Sequence, residues 1–168
     1  EIQKLKKILL PRIDLTATEP RPWHKDLPES GGVWISGKAG NGKTHAAGLM
    51  VSRHIKKSGM GFKWSWFKAR QIFEAWVNQY SDDYQTKRNA LDLMHCLKSH
   101  PVIVIDDFDK MGKITQAREE HMFDLIDSIH SRGAALIIPA NITIDSFCQR
   151  MENESGFIKR DGIGPVQR

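Results

Sequence analysis

The sequence predicts an α/β domain built on a mainly parallel sheet. Apolar runs of strand length, "GVWIS", "PVIVID" and "AALIIPAN", alternate with stretches of helical periodicity. The second and third runs are continuous rather than alternating, as expected of strands covered on both faces. A glycine-rich turn leads straight from the first run into a helical pattern, giving a strand–loop–helix unit.

Residues 1–32 hold four prolines (Pro11, Pro20, Pro22, Pro28) and end in Gly31-Gly32, which reads as an extended lead-in before a core spanning 33–168. "GVWIS" is the first buried strand. Thr44 to Lys57 reads as a helix, with Ala47, Met50, Val51 and Ile55 at helical spacing and Gly59 and Gly61 ending it. "FKWSWF", 62–67, alternates aromatic and polar residues at period two, which suits a half-exposed strand at a sheet edge. Core packing is the default for Trp64 and Trp66, and stacking on bases beside Lys63 and Lys68 is the functional alternative.

Two helical stretches follow, separated by "SDDY". Phe73, Trp76, Val77 and Tyr80 are expected on the inward face of the first, and Ala90, Leu91, Met94 and Leu97 on that of the second. The β-branched strand 102–105 ends in acids. A helix from Thr115 to Ser131 then places Met122, Leu125, Ile126 and Ile129 inward. The strand 134–141 and a short helix over "TIDSFCQRM" complete the pattern.

Composition narrows the class. The chain has 168 residues, 40% of them hydrophobic, with no apolar run near the roughly 18 residues of a membrane span. The N-terminal apolar stretch is short and broken by Pro11, unlike a secretory signal. Two cysteines, Cys96 and Cys148, read as small buried hydrophobes in a reducing cytoplasm. The net charge of +5 is unevenly spread. Gly37 to Phe73 contains no acid, while Lys38, Lys43, Arg53, Lys56, Lys57, Lys63, Lys68 and Arg70 fall within it. Such a segment suits a polyanion, nucleic acid or nucleotide, or else a solvated basic helix end.

Three elements carry chemistry. Gly37, Lys38, Ala39, Gly40, Asn41, Gly42, Lys43 and Thr44 satisfy G-x-x-x-x-G-K-[ST], with His45 beside them. The glycines let backbone N–H groups surround phosphate oxygens, and the helix that begins there directs its positive end at the same anion. Lys43 reaches the β- and γ-phosphates in this pattern, and Thr44 offers its hydroxyl to Mg²⁺. The second element is the acid pair after 102–105: Asp106 as a ligand of Mg²⁺, Asp107 as the group that orients or deprotonates water. The third is Asn141, at the end of its strand. Its amide either holds that water or caps the following helix, and position alone leaves both open. The histidines show no zinc-ligand spacing.

The order of these elements, with "GGVWISGKAGNGKTH", "IDDFDK" and "FDLIDSIHSRGAALIIPANIT", resembles AAA+ P-loop ATPases over about residues 30 to 150. More narrowly it resembles the DnaC-type replicative helicase loaders and the IstB-like ATPases. The resemblance implies a five-stranded parallel sheet of order 5-1-4-3-2 flanked by helices. It also implies ATP binding and hydrolysis to ADP with Mg²⁺, self-association into a ring or filament, and partners in a replicative helicase and single-stranded DNA. Asp107 stands where many relatives have Glu. The C-terminal lid is expected to be absent, since 27 residues follow Asn141. An arginine acting on a neighbour's nucleotide is expected among Arg150, Arg160 and Arg168, with Arg168 favoured because Gly164-Pro165 reads as a helix start. The rival readings are a transposase-associated ATPase, a small P-loop kinase and a nucleotide-gated binding module that does not hydrolyse.

Overall fold

A computed structural model of the chain describes residues 32–59 and 61–155. Its elements run β1 (Val33–Ser36), α1 (Lys43–Ser58), β2 (Trp64–Lys68), α2 (Ala69–Asn78), α3 (Tyr84–Ser99), β3 (Val102–Asp106), a 3-10 turn (Phe108–Lys110), α4 (Gln116–Ser131), β4 (Ala135–Ala140) and α5 (Ile144–Ser155). The four strands are all parallel, in the order β1-β4-β3-β2. This agrees with four contiguous members of the expected 5-1-4-3-2 sheet. Four strands, not five, lie among the described residues, and the expectations of a fifth strand and an absent lid fall outside them, as do residues 1–31, Arg160, Arg168 and the Gly164-Pro165 step.

β3 shows why a continuous apolar run was needed. Val102 and Val104 join Ile35, Ala46, Met50, Val51 and Ile137 on the α1 side of the sheet. Ile103 and Ile105 join residues of α2, α3, α4 and α5 on the other. All four are at most 1% exposed, so successive side chains enter opposite cores. β2, at one end of the described order, has only Ser65 buried, and its two tryptophans are half-buried against the α1-side core. Their packing reading holds, and neither stands free as a stacking platform.

Five expected core positions are corrected. On α2 the inward residues are Ala69, Ile72, Phe73, Ala75 and Trp76, whereas Val77 is 73% and Tyr80 80% exposed. Trp76 packs on Phe73 and His121, which fixes the helix's rotation, and the helix ends at Asn78, before Tyr80. On α3, Ala90 and Leu97 are buried while Leu91 is exposed, because the inward stripe runs through Leu93 and Met94 instead. Cys148 is exposed and Cys96 half-buried, since Phe147 and Met151, one turn apart on α5, take the core face beside Cys148.

Helix ends follow their local chemistry. Thr115 caps α4 and Asp83 caps α3, each accepting an N–H three residues on. Arg132 closes the far end of α3, donating to the carbonyls of Leu97 at 2.7 Å and His100 at 2.6 Å. A cation at a helix C-terminus is favoured by the carbonyls left without intrahelical partners.

Candidate functional site

The glycine-rich turn lies between β1 and α1. Gly40 and Gly42 adopt φ of 82° and 81°, and a Cβ at Gly40 would meet nothing within 4 Å. Backbone conformation, not lack of space, is what requires glycine there. Gly42 is the residue before α1, and no acid lies in that helix's first turn. Lys38, Ala39, Gly40 and Asn41 are exposed, Thr44 and His45 half-buried. Lys43 is 9% exposed and folds back on its own loop, donating to Gly37 O at 2.8 Å and Lys38 O at 2.9 Å. Both acceptors are neutral carbonyls around a buried cation, an arrangement an anion would improve.

Strand register brings the remote elements to this edge. Ile35 pairs with Pro139 and Ser36 with Ala140; Val104 pairs with Ile137 and Asp106 with Lys68. Asp106 therefore stands in the row of Pro139, at the strand ends from which Gly37 and Asn141 also emerge. The β3–β4 ladder stops at Val104 and Ile137, and Pro139 has no N–H with which to extend it. The opening left there is where ligands of open parallel sheets bind, beyond the carboxyl ends of the strands.

The two acids differ. Burial pushes the Asp106 carboxyl above its usual range; the Asp107 N–H, donated at 2.9 Å, opposes this, while the Asp107 charge adds to it. Trp66 and Lys68 also favour the ionised form, to a lesser degree. A half-buried carboxylate of this kind gains from a cation. Asp107 has φ 54° and ψ 37°, the one non-glycine positive φ among the described residues. Its carboxylate pairs with Lys110 at 2.6 Å and Lys68 at 3.7 Å. Asp tolerates this left-handed conformation better than most residues, but it is uncommon and calls for local support.

Asn141 does not cap α5. The cap of α5 is Thr143, whose Oγ1 accepts the Ser146 N–H at 3.2 Å. Asn141 instead donates its main-chain N–H and its Nδ2 to the two oxygens of Asp109, each at 3.0 Å. Burial raises the Asp109 pKa, but these two hydrogen bonds, with its own main-chain N–H and the Lys110 charge, together hold the carboxyl below its usual range. Sequence reasoning passed over Asp109. The available signal was a third acid in "IDDFDK", separated from the pair by Phe108, which turns into the core against Trp34 and Phe147.

Arg150, one candidate for an arginine acting on a neighbour, is committed within its own chain. It donates to Asp109 O at 2.7 Å, Gly112 O at 2.6 Å and Glu154 Oε1 at 2.7 Å. The acid-free segment also divides. Lys38, Lys43, Lys68 and Arg70 sit at the carboxyl edge of the sheet. Lys56 and Lys57 lie in the last turn of α1, about 20 Å along that helix, and Lys63 precedes β2. On the site's side, a cavity of about 430 Å³ brings Arg70, Lys110 and Arg118 around Phe73 and Val77, with Glu74 paired to Arg70 at 2.7 Å in its lining.

The fit to nucleotide and metal rests on this donor set: a left-handed glycine turn at a helix N-terminus, a buried ammonium held by two carbonyls, and a half-buried carboxylate at the same edge of the sheet. No helix among the described residues is long and apolar enough to cross a membrane.

Comparisons with known proteins place this geometry. A family model described as RNA helicase matches residues 33–134. No curated protein matches the chain in sequence. Among solved structures, the replication initiator DnaA bound to AMPPCP and single-stranded DNA superposes with a TM-score of 0.56 at 18% identity, covering 88% of this chain and 49% of that one. AMPPCP-bound DnaA from Aquifex aeolicus gives 0.57 at 18% identity, covering 86% and 49%. The DnaC helicase loader gives 0.56 at 17% identity, covering 86% of this chain and 87% of its own. The chain spans about half the length of the DnaA structures it matches, and at these identities the likeness establishes the fold. With the family model spanning most of the described core, the chain belongs to the RNA helicase family and carries the AAA+ P-loop fold.

Proposed function

We propose that the chain is an assembly-dependent ATPase that helps load or remodel a replicative helicase on single-stranded nucleic acid. The observation that carries this reading is the meeting of Lys43, Asp106, Asp107 and Asn141 at one edge of the sheet. ATP is the substrate, its phosphates cradled by residues 37–44, with Lys43 exchanging its two loop carbonyls for phosphate oxygens. Thr44 and Asp106 would hold Mg²⁺, which supplies charge neutralisation at the phosphates.

Asp107 takes up the proton of a water whose oxygen attacks the γ-phosphorus as the bond to ADP oxygen breaks. For this its carboxylate must exchange its lysine partners for water. Asn141 holds the same water. A neighbouring copy supplies an arginine, worth about 10³-fold or more in rate. With Arg150 engaged in its own chain, Arg168 remains the assignment and Arg160 the alternative. The core at 33–168, a ring or filament of copies, and the cytoplasm as its compartment belong to the same proposal.

A second reading is favoured by the family's description: the strand acted on is RNA rather than DNA. Arg70, Lys110 and Arg118, which line the cavity together with Glu74, would offer positive charge to either backbone.

The test is phosphate release by wild type and Asp107→Asn, with no polymer, single-stranded DNA or single-stranded RNA, alongside nucleotide binding and sizing with ATP. The proposal expects tight nucleotide binding by both proteins. It also expects slow turnover by the isolated wild type, stimulation by a polymer together with assembly, and little turnover by the variant. Rapid hydrolysis by a monomer without any polymer would reject it. Phosphoryl transfer to a small molecule would favour a kinase, and binding without turnover under any condition a nucleotide-gated module.

A further inference from the structure

Asp109 has no part in the scheme above, yet its carboxylate ties the loop after β3 to Asn141 at the end of β4. One oxygen accepts the main-chain N–H of Asn141 and the other its Nδ2. An ionised carboxylate only accepts, so the amide edge facing Asp109 is the nitrogen. Oδ1 and the second Nδ2 hydrogen are thereby left for other partners. Because the chelate grips main chain and side chain together, it sets both the rotamer and the amide orientation of Asn141 before any ligand arrives.

Asp109 is itself held from behind. Arg150 donates to Asp109 O and Gly112 O, and also to Glu154, whose second oxygen accepts the Ile114 N–H at 2.8 Å. The loop that follows the acid pair is thus stitched to α5 at residues 109, 112 and 114. Phe108, 3% exposed and in ring contact with Trp34 and Phe147, anchors the chain immediately before Asp109. A carboxylate on an exposed, unsupported turn would wander; this one is fixed on both sides.

We infer that Asp109 is a positioning residue for the hydrolytic step. It turns Asn141 so that Oδ1 accepts a hydrogen bond from the attacking water, while Arg150 and Glu154 hold Asp109 in register. The inference rests on the proposed ATPase reading. Its geometric half concerns only this chain's own residues.

The test combines turnover, nucleotide binding and the side-chain amide resonance of Asn141 in wild type, Asp109→Ala, Asp109→Asn, Asn141→Ala and the double variant Asp109→Ala/Asn141→Ala. Asp109→Ala is expected to lower kcat roughly ten- to 100-fold, the scale of a misplaced catalytic contact, with KM and nucleotide affinity unchanged. The double variant should be no slower than Asn141→Ala alone. Asp109→Asn keeps one acceptor and the side-chain volume, and should recover part of the rate. The Asn141 amide protons should lose their downfield shift and slow exchange in Asp109→Ala.

Multiplicative losses in the double variant, or wild-type kcat in Asp109→Ala, would overturn the inference and leave the ATPase reading standing. A wild type that neither binds nor hydrolyses ATP removes both. Should Asp109→Ala fail to fold, Asp109→Asn decides. A partial loss of kcat that disappears in the Asn141→Ala background supports the inference, and a loss that persists there rejects it.

Discussion

Lys110 donates to the carboxylate of Asp107 at 2.6 Å, three residues back along a turn in which Asp107 is left-handed. The main-chain N–H of Lys110 also donates to Asp107 O at 2.9 Å. The proposed water-activating acid is therefore clasped by its own turn. The contact with Asp107 in turn raises the Lys110 pKa, so the ammonium stays charged across the neutral range.

Releasing this clasp should speed the reaction. The pair is largely exposed, with side-chain accessibilities of 61% and 31%, and such pairs contribute about 1 kcal/mol or less. Lys110→Met is expected to raise basal phosphate release by up to about fivefold, with little change in stability. A rate equal to or below wild type would show that Lys110 does not restrain Asp107.

Lys43→Met should separate binding from folding. The carbonyls that lose this donor belong to Gly37 and Lys38, in a loop that water reaches, and a buried charge is removed with it, so the change in stability should be small. Two charge-assisted contacts to phosphate would be lost, at about 1.5–3 kcal/mol each. Nucleotide affinity should fall at least about tenfold in a fluorescent-nucleotide titration, with urea midpoints close to wild type.

Asp106 opposes folding in favour of its site. Burial raises its pKa in the folded chain, so between the unfolded value and the raised one the folded state binds more protons. That contribution to stability is fully present at low pH and is lost as pH rises through the folded pKa. Asp106→Asn should accordingly melt higher than wild type at pH 7, with the gain vanishing below about pH 4. Added Mg²⁺ with nucleotide should raise the melting temperature of wild type more than that of the variant.

Arg150→Ala tests a structural role against a catalytic one. Its guanidinium joins Asp109, Gly112 and Glu154, and its removal leaves the partly buried Asp109 carbonyl and a Glu154 carboxylate oxygen without this donor. A loss of about 2–4 kcal/mol in urea unfolding is expected. Mixing experiments supply the second arm: if Arg150→Ala copies fail to stimulate wild-type neighbours while unfolding as wild type does, the intrachain assignment is wrong.

Much of this site was legible from local chemistry. "GKAGNGKT" needs left-handed glycines before a helix, and its backbone provides them at Gly40 and Gly42. "VIVIDD" combines a run buried on both faces with a polar end, so its place in the middle of a parallel sheet, with acids at the carboxyl edge, followed from side-chain type alone. Strand order among the described residues agreed with the family resemblance for the same reason: each βα unit carried its own signal.

What the sequence by itself determined was the set of local units: which runs are strands, which turn cradles an anion, which strand ends carry acids. These follow from periodicity and backbone preference over a few residues. Only the tertiary structure decided the partners. Asn141 meets Asp109 across 32 positions, Arg150 meets it across 41, and Lys68 reaches Asp107 because β2 lies beside β3. Helix rotation belongs to the same level, since Trp76 turned α2 so that Val77 faces out. Such pairings depend on strand register and on which ring fills which gap, and a free energy shared between distant residues leaves no pattern in either one's neighbours.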